Sequence, residues 1–431
     1  PPPPRGGGGG GGRYKYMRSH SIPHPAAGYP HGHRNYGPPP PAPARGSKPS
    51  TLDFFAQAPV VVGQGGTSIS GHMLSPSSLL LHRLVLDGID ACGSYIDQAG
   101  GPTVVKEVHH NVQSMAAALK ALSLERRPWQ ISVVNALRVA VTALWPGARV
   151  EVYGSFATQL CAPSSDIDLV VCDVVEHYQS LFQDIKPRES CVAQLARHLS
   201  KQKWVQVVKT IERAAVPIVK VTATFREASG IQLDLSFDSP SHRGLSTCAF
   251  VRGLCAEFPM LVPLTMVLKQ FLVTRGLNDP YSGGLSSYGL VLMLTRVLQR
   301  DRLQRRYLQA MGKDKSASEK NGEGQGIFGN EYELGRLFVT FLAEYGREFD
   351  PIRHAVSVFN HAEESNFEHA GAKYRHLFLG DPMAIIDPFD PTNNIGRTCY
   401  GIGQIQSAFD QALAAIRTFA PELSSDSKKP L

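Results

Sequence analysis

The sequence lacks any hydrophobic run that approaches the roughly 20 residues a membrane-spanning helix needs. Its longest apolar stretch, around residues 290–294, ends just before Arg296. The seven cysteines include no Cys-x-x-Cys pair. This argues against a common zinc site, and the odd number argues against a disulfide framework. We therefore expect a reduced, intracellular protein that does not enter a membrane.

Acidic residues are absent from residues 1–50, which contain seven Lys or Arg, 13 Pro and 11 Gly. After subtraction of these seven from the 44 basic residues of the chain, 37 basic residues remain against 37 acidic ones. This composition buries too little apolar surface to fold, so it predicts a disordered tail. Scattered tyrosines among the basic residues favour RNA binding, although a solubilising linker fits equally well. Deletion of the tail should weaken RNA affinity and flatten its salt dependence.

The remaining sequence divides by its hydrophobic periodicity, and it contains no internal repeat. We predict a tail and linker over 1–78, a helical segment over 79–127 and a mixed α/β unit over 128–244. A helical domain over 245–420 and a short tail over 421–431 follow, with an exposed loop at 313–326. The predicted strands are 149–153, 167–172, 216–224 and 231–237; the predicted helices are 104–123, 128–145, 190–203, 246–257, 260–275, 287–300, 331–346 and 404–419.

The most informative segment is a strand followed by Gly154-Ser155 and, ten residues later, by Asp166-Ile167-Asp168. Side chains alternate along a strand, so both carboxylates point to one face while Ile167 packs inward. Two adjacent carboxylates with hard oxygen donors favour Mg²⁺ or Mn²⁺ over zinc. Gly154-Ser155 can present backbone N–H groups and a hydroxyl to phosphate. Each motif alone also occurs by chance, so only the ordered set predicts a site.

A third carboxylate follows from the same argument. The segment 231–237 alternates strictly between apolar and polar residues, which places Asp234 on the polar face. If this strand lies beside the first, three carboxylates converge, and a pair of divalent ions would compensate their charge. Two-metal sites of this kind serve phosphoryl transfer.

These motifs resemble the polymerase-beta-type nucleotidyltransferase superfamily, and the downstream segments resemble non-canonical poly(A) RNA polymerases of the Trf type. The resemblance covers roughly residues 128–417. It implies an α+β fold in which a catalytic domain with a mixed sheet packs against a helical, PAP-associated domain, with the nucleotide in the cleft. The matching downstream segments are 268–278 (LKQFLVTRGLN), 283–288 (GGLSSY), 344–347 (EYGR), 387–401 (DPFDPTNNIGRTCYG) and 408–412 (AFDQA).

The resemblance assigns roles to further residues. It implies that Lys269 binds the nucleotide phosphates, although by itself a lysine in this apolar helix would be interpreted as reaching out to solvent. It implies that Tyr288 stacks under the base, where pattern alone would predict a core aromatic. Ser287, at the start of the same predicted helix, can bind phosphate. Gly244 and Thr247 would approach the sugar, although the sequence around 239–245 departs from the usual pattern.

The identity of the nucleotide depends on Asn393. An amide can complement the edge of adenine, and the uridylyl-adding relatives typically carry a histidine there, so we predict ATP. Arg397 would serve the nucleotide or the recognition loop. The alternative is that residues 393–396 form only a turn beside an exposed arginine.

The expected reaction is therefore template-independent transfer of AMP from ATP to RNA 3′ ends, with two Mg²⁺ or Mn²⁺ ions held by Asp166, Asp168 and Asp234. Resemblance further implies a place in nuclear RNA surveillance, a location in the nucleus or nucleolus, and a zinc-knuckle RNA-binding protein and a helicase as partners. Three alternatives remain open: a terminal uridylyltransferase, another nucleotidyltransferase acting on tRNA or a small molecule, and an inactive scaffold that binds RNA or protein.

Overall fold

The computed structural model describes residues 102–182, 189–214, 216–225, 228–310, 332–358 and 375–426. The predicted tail and linker 1–78, the helical stretch from residue 79 and the loop 313–326 lie outside the described residues. The described helices are α1 (Pro102–Leu144), α2 (Gly154–Thr158), α3 (Val175–Phe182), α4 (Cys191–Leu199), α5 (Gly244–Glu257), α6 (Leu261–Thr274), α7 (Ser287–Ala310), α8 (Glu333–Ala343) and α9 (Ile402–Asp426).

A five-stranded mixed sheet forms the first half of the fold, with strand order β1-β2-β5-β4-β3. β2 and β5 are parallel neighbours, whereas every other neighbouring pair is antiparallel. The alternating apolar residues of β5, such as Leu233 and Leu235, are fully buried together with Ile167 and Leu169 of β2. The opposite face of β5 carries the polar side chains of Gln232, Asp234 and Ser236, and Asp168 of β2 lies on the same face. The strands are β1 (Arg149–Tyr153), β2 (Ile167–Cys172), β3 (Val205–Ile211), β4 (Ile218–Phe225) and β5 (Ala228–Phe237).

The second half is built on a separate hydrophobic core that helices α5 to α9 share with the first turns of α1. It also contains a small sheet in the order β6-β7-β8, which the sequence pattern did not predict. Asn393 lies in the last of its short strands, so the predicted turn at residues 393–396 begins at the end of a strand. The strands are β6 (Ala355–Val356), β7 (Ala384–Asp387) and β8 (Asp390–Asn394).

Helix α1 corrects one prediction. We expected separate helices over 104–123 and 128–145, but one helix of 43 residues runs through Pro128. Proline removes one backbone donor and disfavours a helical conformation in the residue before it, yet the packing of both halves overrides that cost. Val104 to Leu119 belong to the helical core, and Val133 to Val141 belong to the sheet core. The predicted boundary at 127/128 thus falls inside this helix, at the place where it passes from one core to the other.

Other differences are smaller. Strand β3 and helix α3 were not predicted, since neither buries a clear periodic face: β3 has only scattered partly buried positions and α3 buries no residue. Helix α8 ends at Ala343 and continues as a π-helical turn over Glu344–Glu348. Helix α9 runs to Asp426, past the domain end predicted at 420.

No single helix in the described part of the chain is long and apolar enough to cross a membrane. Helices α5 and α6 would pass such a test only as a pair, and they are bent by 117° at the break between them.

Candidate active site

The register of the central sheet brings the predicted carboxylates together. Asp168 of β2 lies directly opposite Asp234 of the parallel strand β5, and Tyr153 of β1 lies opposite Asp168 on the other side. Asp166 immediately precedes β2. All three carboxylates line one cavity of about 750 Å³ between the sheet and the helical half. The predicted convergence of Asp166, Asp168 and Asp234 is therefore present in the fold.

The acidic groups on this wall have raised pKa values. Burial, and then the neighbouring carboxylates of Asp166 and Asp234, together raise the pKa of Asp168 to about 7. Burial also raises the pKa of Asp234, against the opposing effect of its hydrogen bond with Lys220. Burial, with smaller contributions from the three carboxylates, raises the pKa of Tyr153 to about 12. A cation bound at this wall would therefore stabilise the charged form of Asp168.

Gly154 is required by the close approach of the turn to this wall. Its φ is +67°, and a Cβ built on it would lie 2.0 Å from Oδ2 of Asp168. Any other residue would therefore meet both backbone strain and a clash with a carboxylate. Ser155 follows it in the short helix α2, and both residues line the cavity.

The predicted lysine comes from the helical half of the fold. Lys269 of α6 is only 7% exposed, so it does not reach out to solvent. Its Nζ donates to the carbonyl of Leu160 at 3.2 Å and to Oγ of Ser165 at 3.3 Å, and it lines the cavity. Burial lowers its pKa, and the Asp166 carboxylate opposes that shift. A buried ammonium in a cleft is an expensive group that an anionic ligand would stabilise.

Four more predicted residues line the same cavity: Gly244 and Thr247 in α5, and Ser287 and Tyr288 at the start of α7. Gly244 has no room for a side chain, because a Cβ there would lie 2.7 Å from the Tyr153 and His242 rings. Tyr288 is partly buried and packs against the helical core. Its pKa is raised, first by burial and then by the Asp387 carboxylate.

Asn393 and Arg397 are not among the residues that line the cavity. The Asn393 amide donates to Oδ2 of Asp387 at 2.9 Å. Arg397 is 61% exposed and lies 3.7 Å from Asp381. The same Asp387 carboxylate contributes to the raised pKa of Tyr288. Contact of Asn393 or Arg397 with a nucleotide stays a prediction.

Lys220 is the cavity residue that sequence reasoning missed. It lies opposite Asp234 in the antiparallel β4–β5 pair, and its Nζ donates to Oδ2 of Asp234 at 2.5 Å. The alternation of the segment 218–222 predicts that Lys220 shares the polar face of its strand. The sequence does not show which residues of β4 and β5 lie opposite each other, so it does not predict that Asp234 is the partner of Lys220.

Comparison with known proteins finds similarity to proteins that are named poly(A) RNA polymerases. Residues 113–247 match the family described as "Poly(A) RNA polymerase, mitochondrial-like, central palm domain". Poly(A) RNA polymerase cid14 of Schizosaccharomyces pombe is 31% identical over 281 residues, which are 64% of this chain and 36% of that protein. The chain resembles non-canonical poly(A) RNA polymerases. The resemblance predicted from the motifs is confirmed.

A second relative of this kind is the inactive non-canonical poly(A) RNA polymerase protein Trf4-2 of Drosophila melanogaster. It is 31% identical over 299 residues, which are 69% of this chain and 64% of that protein. The chain thus spans less than two thirds of the length of either polymerase relative.

The fold is also found in a solved structure, the polymerase core of TRAMP, described as an RNA surveillance complex. The TM-score is 0.56 at 24% identity, with coverage of 75% of this chain and 90% of that chain. The predicted combination of a mixed-sheet nucleotidyltransferase domain with a helical domain is therefore confirmed. The palm match ends at residue 247, so it includes all three carboxylates, whereas Lys269, Tyr288 and Asn393 lie beyond it.

Proposed function

We propose that this chain is a template-independent RNA 3′-adenylyltransferase, which transfers AMP from ATP to RNA 3′ ends and releases pyrophosphate. The observation that carries the proposal is the arrangement of the cleft. Asp168 and Asp234 of neighbouring strands, Asp166 just before β2 and the buried ammonium of Lys269 all line one cavity. One wall is suited to cations and the other to the phosphates of a nucleotide.

The residues present supply the donors of a divalent metal pair, although no three acidic, histidine or cysteine side chains among the described residues are placed as a preformed metal site. Carboxylate oxygens are the donors that Mg²⁺ and Mn²⁺ prefer. Burial, and then the charges of Asp166 and Asp234, raise the pKa of Asp168, so a bound cation would stabilise its charged form. Asp166 and Asp168 would hold both ions, and Asp234 would complete the site nearer the RNA 3′ hydroxyl. Bound there, Mg²⁺ or Mn²⁺ supplies Lewis acidity to the attacking and leaving oxygens.

The other cavity residues would position the substrates. Lys269 would pair with the triphosphate, and Gly154 and Ser155 would offer backbone and hydroxyl donors to its oxygens. Tyr288 would stack under the base, with Ser287 on a phosphate and with Gly244 and Thr247 beside the sugar. The 3′ oxygen of RNA would then form a bond to the α-phosphorus, the bond from this phosphorus to the bridging oxygen of the leaving pyrophosphate would break, and the hydroxyl proton would pass to solvent water.

ATP is the proposed nucleotide because Asn393 can both donate to and accept from the adenine edge. Its present hydrogen bond to Asp387 shows that the amide is held by the small sheet beside Tyr288. Arg397 would support the same recognition segment. A terminal uridylyltransferase of the same fold is the alternative within this reaction class.

The partners and location are proposed from similarity. RNA 3′ ends are the proposed acceptor, since the relatives are named RNA polymerases. The solved structure of similar fold is described as the polymerase core of an RNA surveillance complex. A role in nuclear RNA surveillance, with a zinc-knuckle RNA-binding protein and a helicase as partners, is proposed from the resemblance of the sequence motifs. We propose the nucleus or nucleolus as the location.

The experiment is incubation of the purified chain with a labelled RNA oligonucleotide, Mg²⁺ or Mn²⁺, and each nucleoside triphosphate separately. Extension with ATP above the other three supports the proposal, and extension chiefly with UTP would favour the uridylyl alternative. One similar protein is named inactive, so similarity alone does not establish turnover. Absence of extension under all conditions, with the chain folded, would favour an inactive scaffold.

A further inference from the structure

One row of side chains crosses the whole central sheet. Each member is the direct cross-strand partner of the next, from the outer strand β1 to the outer strand β3. In order, the row consists of Tyr153, Asp168, Asp234, Lys220 and Lys209. It therefore changes sign in its middle, from the two carboxylates to the two lysines.

The negative and positive parts of the row meet in a direct contact between Asp234 and Lys220. Nζ of Lys220 holds Oδ2 of Asp234, and both side chains line the cavity, with exposures of 36% and 17%. A lysine and a divalent cation that bind one carboxylate compete for the same charge and lone pairs.

The competition is confined to one of the three carboxylates. Asp166 and Asp168 carry no hydrogen bond to Lys220, and its charge reaches both of them only through space. Under the proposed function Asp234 is the ligand that completes the site at the RNA 3′ hydroxyl. Lys220 therefore contests that site and leaves the paired carboxylates of the β2 edge available.

An anion on the open side of Lys220 would remove the competition. Lys209 is exposed and lies directly opposite Lys220 on β3. Like charges in such a pair destabilise each other, so a phosphate near them is favourable. The proposed reaction brings one to this place, because an RNA whose 3′ hydroxyl reaches Asp234 carries its backbone phosphates alongside.

We propose that Lys220 couples RNA binding to metal binding: it holds Asp234 until an RNA phosphate accepts its ammonium, and the freed carboxylate then binds the divalent cation. The inference rests on the proposed function and adds a positioning residue to it. Because coupling between two sites is reciprocal, RNA should raise metal affinity by the same factor as metal raises RNA affinity.

The test is Mn²⁺ binding without nucleotide, measured on the full chain from the free-ion electron paramagnetic resonance signal. Titrations are made with and without an RNA oligonucleotide that ends in a 3′-deoxynucleotide, and binding to RNA alone is subtracted. In the wild type, RNA should raise Mn²⁺ affinity at least about fivefold, the lower end of coupled sites. Lys220→Met should bind Mn²⁺ about tenfold more tightly without RNA, because the competing charge is gone, and RNA should add little.

Matched variants separate charge from shape. Lys220→Gln keeps a hydrogen-bond donor without the charge and should behave like Lys220→Met; it carries the test if the methionine variant does not fold. Lys220→Arg should retain the coupling. Lys209→Met leaves the Lys220–Asp234 contact in place and should keep the wild-type Mn²⁺ affinity in the absence of RNA.

Unchanged or weaker Mn²⁺ binding by both uncharged variants, or full coupling in them, overturns the inference. The proposed function fails separately. If Asp168→Asn binds Mn²⁺ with the same affinity as the wild type, the carboxylates are not the metal site. If Asp168→Asn abolishes binding while Lys220→Met does not change it, only the role of Lys220 is wrong.

Discussion

The sheet half and the helical half contribute charged groups of opposite sign to the cleft, carboxylates from the sheet and an ammonium from a helix. The sheet wall brings Asp168 and Asp234 together by strand register, with Asp166 just before β2, and burial with the neighbouring carboxylates disfavours the charged form of Asp168. The helical half contributes Lys269, whose buried ammonium donates to a carbonyl and a hydroxyl of the segment before β2. Sheet register fixes the positions of the carboxylates relative to one another, whereas helix α6 holds the Lys269 ammonium away from solvent. The contrast indicates that cations and phosphates meet between the walls, and it can be tested one wall at a time.

The largest effect is expected on the sheet wall. Asp168→Asn keeps the shape of the side chain but removes the charge of a proposed metal ligand. Adenylation should fall at least about a thousandfold, roughly 4 kcal/mol of barrier, in a single-turnover assay with saturating ATP. The control is Asp173→Asn at the end of the same strand, where the carboxylate pairs with exposed Arg149. Activity of Asp168→Asn within tenfold of wild type would contradict the assignment.

The helical wall should give the next largest effect. Lys269→Met removes a proposed phosphate partner, so the rate should fall about a hundredfold, with a higher KM for ATP. The thermal midpoint of the metal-free protein should stay the same or rise, because a buried charge is replaced by an apolar chain of similar size. A loss of stability that accounts for the lost activity would make Lys269 a structural residue. Lys201→Met, at an exposed position that does not line the cavity, serves as the comparison.

A smaller effect is expected where the helical half meets the base. Asn393→His should reduce the preference for ATP over UTP about tenfold, within the range for loss of a base-edge contact. The ratio of kcat/KM for the two nucleotides measures it, since overall losses of activity cancel. An unchanged ratio would place nucleotide selection elsewhere, in agreement with the position of Asn393 outside the cavity lining.

The smallest effect concerns stability of the sheet wall without metal. The pKa of Asp168 is raised from 3.8 to about 7 in the fold, so folding favours its protonated form. Its contribution is therefore full below pH 3.8 and is lost as the pH rises towards 7. In EDTA, the wild type should lose a few degrees of thermal midpoint relative to Asp168→Asn over this interval, about 1 kcal/mol or more. A difference that is flat from pH 4 to 8 would contradict the raised pKa.

Part of this fold could be predicted from the residues alone. Period-two alternation placed Asp168 and Asp234 on polar strand faces, because burial of Leu169 and Leu235 decides the opposite face. Their convergence depended on β2 and β5 being neighbours, which the alternation could not establish and the family resemblance implied. The Lys220–Asp234 contact depends on the register of a β-hairpin, which is set by long-range packing.

The missed elements have physical reasons too. Strand β3 lies at the edge of the sheet and buries no continuous face, so its pattern carries little periodicity. The break predicted before Pro128 followed a sound local rule, but two hydrophobic cores hold the helix together across it.

That shared helix has a mechanical consequence. A single rod anchored in both cores prevents the sheet half and the helical half from moving as unconnected bodies. Any widening of the cleft must twist or bend α1 between its anchors, and the backbone is weakest at Pro128, which lacks the donor that would otherwise brace the preceding turn.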